Sequence, residues 1–332
     1  MVAALPNGRL AIERMADSMP DLLILDMEMP EMDGIQTLKE MKRRGWTCPA
    51  LVFSSLSKRG AEITLEALNL GAKDFVTKPN NENAGDGRSP VDKIRSLLVP
   101  KLEELFPAYV HGRPSEPTQA TEKEAFHQAN WDLLNPQIVV IGSSTGGPTV
   151  LEKIFSGIVV PLSCPVVIAQ HMPPVFTASF AERLSKIAGI TVTEARHGEV
   201  LEKNHVYIAP GDHHLRLHGT RERAVISLDQ GPLIHSVRPA VDPLFQTAAE
   251  IFGPRCLGFI LTGMGFDGCD GAVSIKQQGG AIVIQSKESC VVFGMPGAVF
   301  GVGAYDRIAA PDEIIAFINE KAGGRMVTRS CG

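Results

Sequence analysis

Three side chains that could together hydrolyse an ester or an amide follow three apolar segments of the chain. Ser144 lies in GSSTGG after QIVVI, His171 lies in QHMP after PVVIA, and Asp267 lies in GMGFDG after CLGFILT. A serine hydroxyl becomes a strong nucleophile when an imidazole takes its proton, and a carboxylate can orient that imidazole. These residue types predict a nucleophilic hydrolase, provided that the fold brings them together.

The apolar segments have the length and composition of buried strands, and a helical pattern follows each loop. Strands of a parallel α/β sheet are typically this apolar, and ligands bind at their carboxyl ends. All three side chains would therefore reach the same edge of one sheet. The glycines around Ser144 permit a tight strand-to-helix turn, where backbone N–H groups could hold a developing oxyanion.

Each of the three segments has a simpler interpretation when it is taken alone. GSSTGG could cradle a phosphate ahead of a helix, although it has neither the GxGxxG spacing nor the GK[ST] ending of nucleotide-binding loops. His171 could be an ordinary loop histidine, and Asp267 could cap the helix that follows it. It is the occurrence of all three at matching strand ends that favours a hydrolase.

Composition limits the class of protein. The chain has 332 residues, of which 44% are hydrophobic and 21% charged, enough for two folded domains. Its 32 basic and 37 acidic residues give a net charge of −5, which argues against a nucleic-acid-binding surface. Six cysteines without a CxxC pair, no signal-peptide pattern and no unbroken apolar span predict a soluble cytoplasmic protein.

A second group of strand ends lies in the first 80 residues. DLLIL ends at Asp26, ALVF ends at Ser54, and DFV leads through Thr77 to Lys78. Helical patterns separate these short apolar runs, so a second parallel sheet is predicted, with three polar side chains at one edge. On its own, Asp26 could be a turn residue before a helix.

These segments resemble the receiver domain of response regulators. DLLILDMEMPEMDG, the serine pair at 54–55 and TKP at 77–79 carry the resemblance, which covers residues 1–105. It implies a flavodoxin-like fold in which Asp26 accepts a phosphoryl group from a histidine kinase. It further implies that Ser54 and Lys78 contact the acyl phosphate and carry the switch.

The resemblance is incomplete at the start of the chain. Receivers begin with a strand that ends in an acidic pair, and these carboxylates bind Mg²⁺. Here VAA, followed by PNG, is similar to the second strand and second helix, so the first strand and helix are expected to be missing. That loss would leave neighbouring strands without ladder partners. We therefore expect an unstable receiver that binds Mg²⁺ weakly and is phosphorylated inefficiently.

The second half resembles the catalytic domain of the CheB methylesterase family. IGSSTGGP, QHMPP, APGDHHL and LTGMGFDG carry this resemblance, which covers residues 137–325. It implies Ser144 as the nucleophile, His171 as the general base and Asp267 as the group that orients the base. Thr145 and Met264 would line the site. No metal or organic cofactor is implied for catalysis.

The same resemblance implies a function and a domain order. The family hydrolyses methyl esters of chemoreceptor glutamates, releasing methanol, and deamidates certain receptor glutamines. A receiver (1–105), a linker (106–136), a catalytic domain (137–325) and a tail (326–332) would form a chemotaxis enzyme with two doubly wound α/β domains, an incomplete flavodoxin-like one and a Rossmann-like one. Its partners would be methyl-accepting chemoreceptors and the kinase. In the family the unphosphorylated receiver inhibits the enzyme, so a damaged receiver predicts constitutive activity.

Two further segments carry polar side chains without an obvious role. The alternation in 213–218 predicts one arm of a hairpin with 224–228, in which Leu215 and Leu217 face inward and His214, Arg216 and His218 face solvent. Arg238, in SVRPAVD, could position an acidic receptor segment near the triad, or could belong to a surface capping loop.

Two alternative functions follow from the same sequence. The second domain could bind a partner without turnover, as a signalling adaptor, in which case a serine-directed probe would not react. A transcriptional response regulator is the other alternative, but residues 137–332 show no helix-turn-helix pattern and no basic recognition helix.

Overall fold

The computed structural model describes residues 3–78, 89–105, 126 and 128–324. The chain divides into two compact units, residues 1–114 and 115–332. Most of the predicted linker and all of the predicted tail lie outside the described residues, as does Pro79. Within the described ranges, no helix combines the length and the apolar character that crossing a membrane requires.

The first unit alternates helices and strands, as the sequence predicts. Its elements are α1 (Gly8–Asp17), β1 (Leu23–Asp26), α2 (Gly34–Arg43), β2 (Ala50–Ser54), α3 (Lys58–Asn69), β3 (Asp74–Thr77) and α4 (Pro90–Leu105). The strands form a parallel sheet in the order β1-β2-β3. Asn7, Asp33 and Ser57 accept hydrogen bonds from the first turns of α1, α2 and α3, which explains where these helices begin.

One predicted strand of this unit is not formed. Ala3 and Ala4, the described part of the segment predicted to resemble a second strand, are not in a strand. In a flavodoxin-like order that segment would pair with a first strand, and residues 3–78 contain no such strand.

The second unit contains a seven-stranded sheet, a hairpin and six α-helices among its described residues. The strands are β4 (Ile138–Ser143), β5 (Val166–Gln170), β6 (Thr191–Glu194), β7 (His205–Ile208), β8 (His214–Thr220), β9 (Arg223–Asp229), β10 (Cys256–Ile260), β11 (Ala281–Gln285) and β12 (Arg307–Ala309). The helices are α5 (Gly147–Ser156), α6 (Phe176–Ala188), α7 (Val241–Phe252), α8 (Cys269–Gln277), α9 (Met295–Val302) and α10 (Pro311–Phe317). Short 3₁₀ turns lie at Trp131–Leu133, Gly253–Arg255 and Lys287–Ser289, and a π-helical turn lies at Ile318–Ala322.

The sheet is parallel throughout, in the order β12-β11-β10-β4-β5-β7-β6. From the central β4 the chain builds one side through β5, β6 and β7, and it then returns to build the other side through β10, β11 and β12. The strand order therefore reverses beside β4. In open parallel sheets, ligands bind in the crevice at the carboxyl ends of the strands at such a reversal.

The core forms around this central strand. Ile138 and Val140 of β4 belong to one buried cluster with Leu244 and Phe245 of α7. These two β4 positions are separated by one residue and therefore share one face of the strand. Packing of α7 against β4 fixes the beginning of that helix beside the carboxyl edge of the sheet.

The hairpin β8–β9 confirms the predicted pairing but corrects one orientation. Leu215 and Leu217 are buried as predicted, whereas His214, predicted to face solvent, is only 1% exposed. Its Nε2 lies 2.9 Å from the carbonyl oxygen of Pro232, and its Nδ1 accepts a hydrogen bond from the N–H of Ala240 at 3.2 Å. The chain after β9 folds back over the start of β8, a long-range contact that strand periodicity does not reveal.

Candidate active site

The register of the sheet brings Ser144 and His171 to neighbouring positions. Ser143 and Gln170 are paired at the carboxyl ends of β4 and β5, so the next residue of each strand enters the same crevice. The N–H of His171 donates to the carbonyl of Ser143 at 3.0 Å. The N–H of Ser144 donates to the carbonyl of Thr262, just after β10, also at 3.0 Å. Three predicted loops are thus joined through their backbones.

The side chain of Gln170 locks two of these loops together. Its Oε1 accepts a hydrogen bond from the hydroxyl of Ser143 at 2.6 Å. Its Nε2 donates to the carbonyls of Ser144 and His171, at 3.0 and 3.2 Å. Because Gln170 is 1% exposed, water does not compete for these bonds. Sequence reasoning missed this residue, although a polar side chain at the end of an apolar strand is a usable signal.

Thr262 holds the loop that carries Thr145. The buried Thr262 hydroxyl lies 3.0 Å from the carbonyl of Thr145 and accepts hydrogen bonds from the N–H groups of Val291 and Val292. Its own N–H donates to Oε1 of Gln285. Thr145, predicted to line the site, is only 5% exposed. It therefore forms part of the wall of the crevice rather than its mouth.

Gly263 makes room for the candidate nucleophile. A Cβ at this position would lie 2.8 Å from Cβ of Ser144 and 3.0 Å from its backbone nitrogen, closer than such atoms normally approach. Met264, also predicted to line the site, is half-buried in the loop between Gly263 and Asp267. The glycine is required by close approach, which a single sequence does not reveal.

His171 and Asp267 form a buried pair. Nε2 of the imidazole lies 2.7 Å from Oδ2 of Asp267, and their side chains are 10% and 2% exposed. The same Oδ2 accepts the N–H of Val241 at 2.6 Å, and Oδ1 accepts the N–H of Asp242 at 3.1 Å. The start of α7 therefore binds the carboxylate through its first-turn N–H groups, as helix N-termini bind anions.

These contacts keep Asp267 ionised. Burial by itself would raise the pKa of Asp267, but the hydrogen bond and charge of His171, together with the two backbone N–H groups, outweigh burial. The net result is a pKa below the ordinary value of an aspartate. An anion in this position can orient the imidazole and stabilise its positive charge.

A second histidine–aspartate pair adjoins the first on the side of Asp267. Nε2 of His235 lies 2.8 Å from Oδ2 of Asp242, and Oδ1 of Asp242 accepts the N–H of Gly271 at 2.7 Å. Burial, with the neighbouring charge of Asp267, raises the pKa of Asp242 to about 6, although the hydrogen bonds to Gly271 and His235 oppose that shift. Sequence reasoning identified neither residue.

His235, Asp242 and Asp267 could in geometry hold a metal ion, because one donor atom from each lies within 4.8 Å of the others. All four carboxylate oxygens of the two aspartates, however, already accept hydrogen bonds from N–H groups or an imidazole. The set is therefore satisfied as a hydrogen-bonded network of carboxylates and imidazoles.

Arg238 is engaged inside the protein. Its guanidinium contacts Oδ1 of Asp212 through Nε and Nη2, at 2.9 and 2.5 Å. Its Nη1 donates to the carbonyls of Gln230 and Gly231. With 18% of its side chain exposed, Arg238 fastens the loop that precedes α7, so the capping-loop interpretation holds and the receptor-contact hypothesis loses its support.

In the first unit, the structure brings Asp26 and Lys78 together. Nζ of Lys78 lies 2.8 Å from Oδ1 of Asp26, which also accepts the N–H of Glu28. The carboxylate of Glu28, which the sequence reasoning did not single out, lies 3.9 Å from the same ammonium. Ser54 is 1% exposed, and its hydroxyl donates to the carbonyl of Gly60 instead.

This arrangement fits Mg²⁺ poorly. Mg²⁺ binds several oxygen ligands in octahedral geometry, usually with one or two carboxylates. Among the described residues around Asp26, the Lys78 ammonium contacts the oxygen Oδ1, and the nearby carboxylate is that of Glu28. The receiver family is consistent with Mg²⁺ use.

Comparisons with known proteins agree with the division into two units. A family model described as CheB methylesterase matches residues 139–318, and one described as response regulator receiver domain matches residues 1–85. The catalytic domain of a CheB methylesterase from Thermotoga maritima, solved by crystallography, is 44% identical and superposes with a TM-score of 0.53, covering 55% of this chain and 99% of that one.

Relatives of similar length carry the same name. A protein-glutamate methylesterase/protein-glutamine glutaminase from Nocardioides sp. is 41% identical, over 93% of this chain and 84% of the relative. One from Trichodesmium erythraeum is 38% identical, over 97% of this chain and 92% of the relative. The similarity therefore extends over both units.

Proposed function

The chain belongs to the CheB methylesterase family, and from that premise we propose that it hydrolyses glutamyl methyl esters of chemoreceptors and deamidates receptor glutamines, with Ser144 as nucleophile. The observation that carries the assignment of residues is the buried His171–Asp267 pair, 2.7 Å apart, beside the strand end that bears Ser144. A protein that only binds a receptor needs no such pair.

Ester hydrolysis proceeds through an acyl-enzyme. Nε2 of His171 is engaged by Asp267, so Nδ1 is the nitrogen that takes the proton of the Ser144 hydroxyl as Oγ bonds to the ester carbon. The tetrahedral intermediate collapses when the C–OCH₃ bond breaks, and His171 passes its proton to the departing methoxide, giving methanol. His171 then takes a proton from water as the water oxygen attacks the acyl-enzyme. It returns this proton to Oγ of Ser144 as the acyl bond breaks, which releases the glutamate carboxylate and restores Ser144.

Deamidation uses the same groups. A receptor glutamine presents an amide where the ester would lie, and the proton from His171 goes to the leaving nitrogen, so that ammonia replaces methanol as the first product. Both reactions share one acyl-enzyme, so a single nucleophile serves both. Loss of Ser144 should abolish the two activities together.

Helix α5 supplies electrostatic support for the reaction. It begins three residues after Ser144, and Gly146, with φ of 79°, allows the chain to turn sharply into it. The N-terminus of a helix carries partial positive charge and backbone N–H donors, which stabilise the oxyanion of the intermediate. Thr145 and Met264 lie on the two loops that border this position.

In the proposed function, the receiver unit regulates the esterase reaction. Asp26 accepts the phosphoryl group from a chemotaxis histidine kinase, and Lys78, already 2.8 Å from Asp26, neutralises part of the added charge. The Ser54 hydroxyl would have to leave the Gly60 carbonyl to reach the phosphate.

Methanol release from methylated chemoreceptor membranes tests the function. The intact chain should release methanol, and Ser144→Ala should reduce release to background. Ser156→Ala is the matched control, because Ser156 is an exposed serine of α5 whose hydroxyl only bonds the carbonyl of Lys153. Receptor binding without methanol or ammonia release, in the intact chain and in a catalytic fragment, would instead support the adaptor function.

A further inference from the structure

The two histidine–aspartate pairs form one continuous hydrogen-bonded chain. It runs His171–Asp267–Asp242–His235, with 2.7 Å between the first two groups and 2.8 Å between the last two. The N–H of Asp242 links the carboxylates through the backbone, at 3.1 Å from Oδ1 of Asp267. The two aspartates are 4% and 1% exposed, so their charges are not screened by water.

Asp242 and Asp267 are buried carboxylates with oxygens within 4.8 Å of each other, so they compete for a proton. When like charges share a dry site, one carboxyl tends to take a proton and hydrogen-bond to the other. A proton held on Asp242 would be donated toward Asp267 and would draw negative charge away from the contact with His171. The imidazolium that forms during catalysis would then lose part of its stabilisation.

His235 opposes that outcome, because its Nε2 donates to Oδ2 of Asp242 and thereby favours the ionised carboxylate. Resting on the proposed function, we propose that His235 is a positioning residue for the esterase reaction: it keeps Asp242 ionised, so that Asp267 remains a full anion for His171. Its imidazole is 24% exposed and can exchange protons with solvent.

The backbone around His235 supports a dedicated role. His235 and Ser236 both have left-handed conformations, with φ of 51° and 64°, in a two-residue turn closed by hydrogen bonds between Ile234 and Val237. Residues other than glycine, asparagine and aspartate adopt such angles only at an energetic cost. The turn directs the imidazole at Asp242, and the ring of Phe266 packs edge-on against it, with centroids 4.5 Å apart.

Other titratable groups around Asp242 are few in the described residues. Helix α8 contributes Asp270, which is exposed, and Cys269, whose pKa burial raises to about 11, so that the thiol stays neutral. His214 of β8 is fixed by Pro232 and Ala240, and Arg238 is paired with Asp212. His235 is therefore the group that donates to the Asp242 side chain from outside the backbone.

The test uses His235→Asn and Asp242→Asn in the full chain. Asparagine tolerates the left-handed conformation, so the first variant removes the imidazole without straining the turn. Loss of the hydrogen bond should raise the pKa of Asp242 by about a further unit, so the rate relative to wild type should fall about threefold at pH 6.5 and recover near pH 9. Asp242→Asn mimics the protonated carboxyl, so its loss should be similar at every pH. The double variant should match Asp242→Asn alone.

The rate measured is the second-order labelling of Ser144 by a fluorophosphonate, which reports the nucleophile without a receptor. Ser236→Gly is the control, since it alters the same turn but keeps the imidazole, and it should follow the wild-type pH profile. The inference is overturned if His235→Asn loses the same factor at pH 6.5 and pH 9, if it loses nothing, if the double variant is additive, or if Ser236→Gly reproduces the loss. Wild-type protein that is not labelled would overturn the proposed nucleophile itself, and this inference with it.

Discussion

His171 contacts Asp267 through Nε2, at 2.7 Å from Oδ2, so in the proposed mechanism Nδ1 is the ring nitrogen that acts on Ser144. The carboxylate is itself held by two backbone N–H groups from the start of α7. The orientation of the imidazole is therefore fixed by a helix that belongs to a different part of the chain from either catalytic loop. The orientation of the imidazole therefore depends on α7 being folded.

Replacing Asp267 by asparagine should nearly abolish activity without unfolding the protein. The amide oxygen can still accept an N–H of α7, but the side chain no longer carries the charge that stabilises the His171 imidazolium. We expect methanol release to fall on the order of 10³-fold or more. Asp270→Asn, an exposed aspartate three residues away, is the control and should retain activity. Equal losses in the two variants would mean that Asp267 has no special role.

Gly263→Ala should disable Ser144 through contact alone. The new methyl group would clash with Sδ of Met295 and would lie 2.8 Å from Cβ of Ser144 and 3.0 Å from its backbone nitrogen, so even if Met295 turns aside the serine loop must move. Displacement of a nucleophile by about 1 Å can cost about 100-fold in rate. Fluorophosphonate labelling measures the loss, and Gly301→Ala, at a position with open space in α9, is the control. Labelling at the wild-type rate would show that the loop absorbs the methyl group freely.

Strand ends made the meeting of three loops predictable from sequence, whereas the residues that hold those loops together were not. Ser144, His171 and Asp267 each follow an apolar run, and parallel pairing brings such positions to one edge. Gln170 and Asp242 act through contacts between segments that are 25 or more residues apart in the chain. Local periodicity contains no information about which N–H will meet which carboxylate, so these residues emerge only from the fold.

One wrong orientation and one undecided role in the sequence interpretation have the same origin. His214 alternates with leucines and was therefore predicted to face solvent, but the segment 231–240 covers it. The sequence left Arg238 open between a receptor contact and a capping loop, and Asp212 and two carbonyls that occupy its guanidinium favour the capping loop. In both cases a distant segment supplies the partner for a polar side chain.

Asp242→Asn should stabilise the second unit, and more so at higher pH. Folding raises the pKa of Asp242 to about 6 from an ordinary value near 4, so the stability linked to its protonated form is complete below pH 4 and is lost as pH rises through about 6. A neutral amide avoids that loss. The gain in the free energy of unfolding of the variant over wild type should be about 2 kcal/mol larger at pH 8 than at pH 4, measured by urea unfolding followed at Trp131. A pH-independent difference would contradict the shift.

A catalytic fragment that begins at residue 135 should be less stable than one that begins at 115. The N–H of Ala129 donates to Oδ1 of Asp306 at 2.7 Å, and this aspartate is also paired with Lys276 in a buried site. Trp131 packs edge-on against Phe317, with centroids 5.2 Å apart, and its ring lies under the guanidinium of Arg307. Removing these contacts should cost about 2–4 kcal/mol in the free energy of unfolding measured with urea.

The longer fragment is therefore the one to compare with the intact chain. A much faster methanol release by the fragment means that the receiver inhibits, and equal rates mean that it does not.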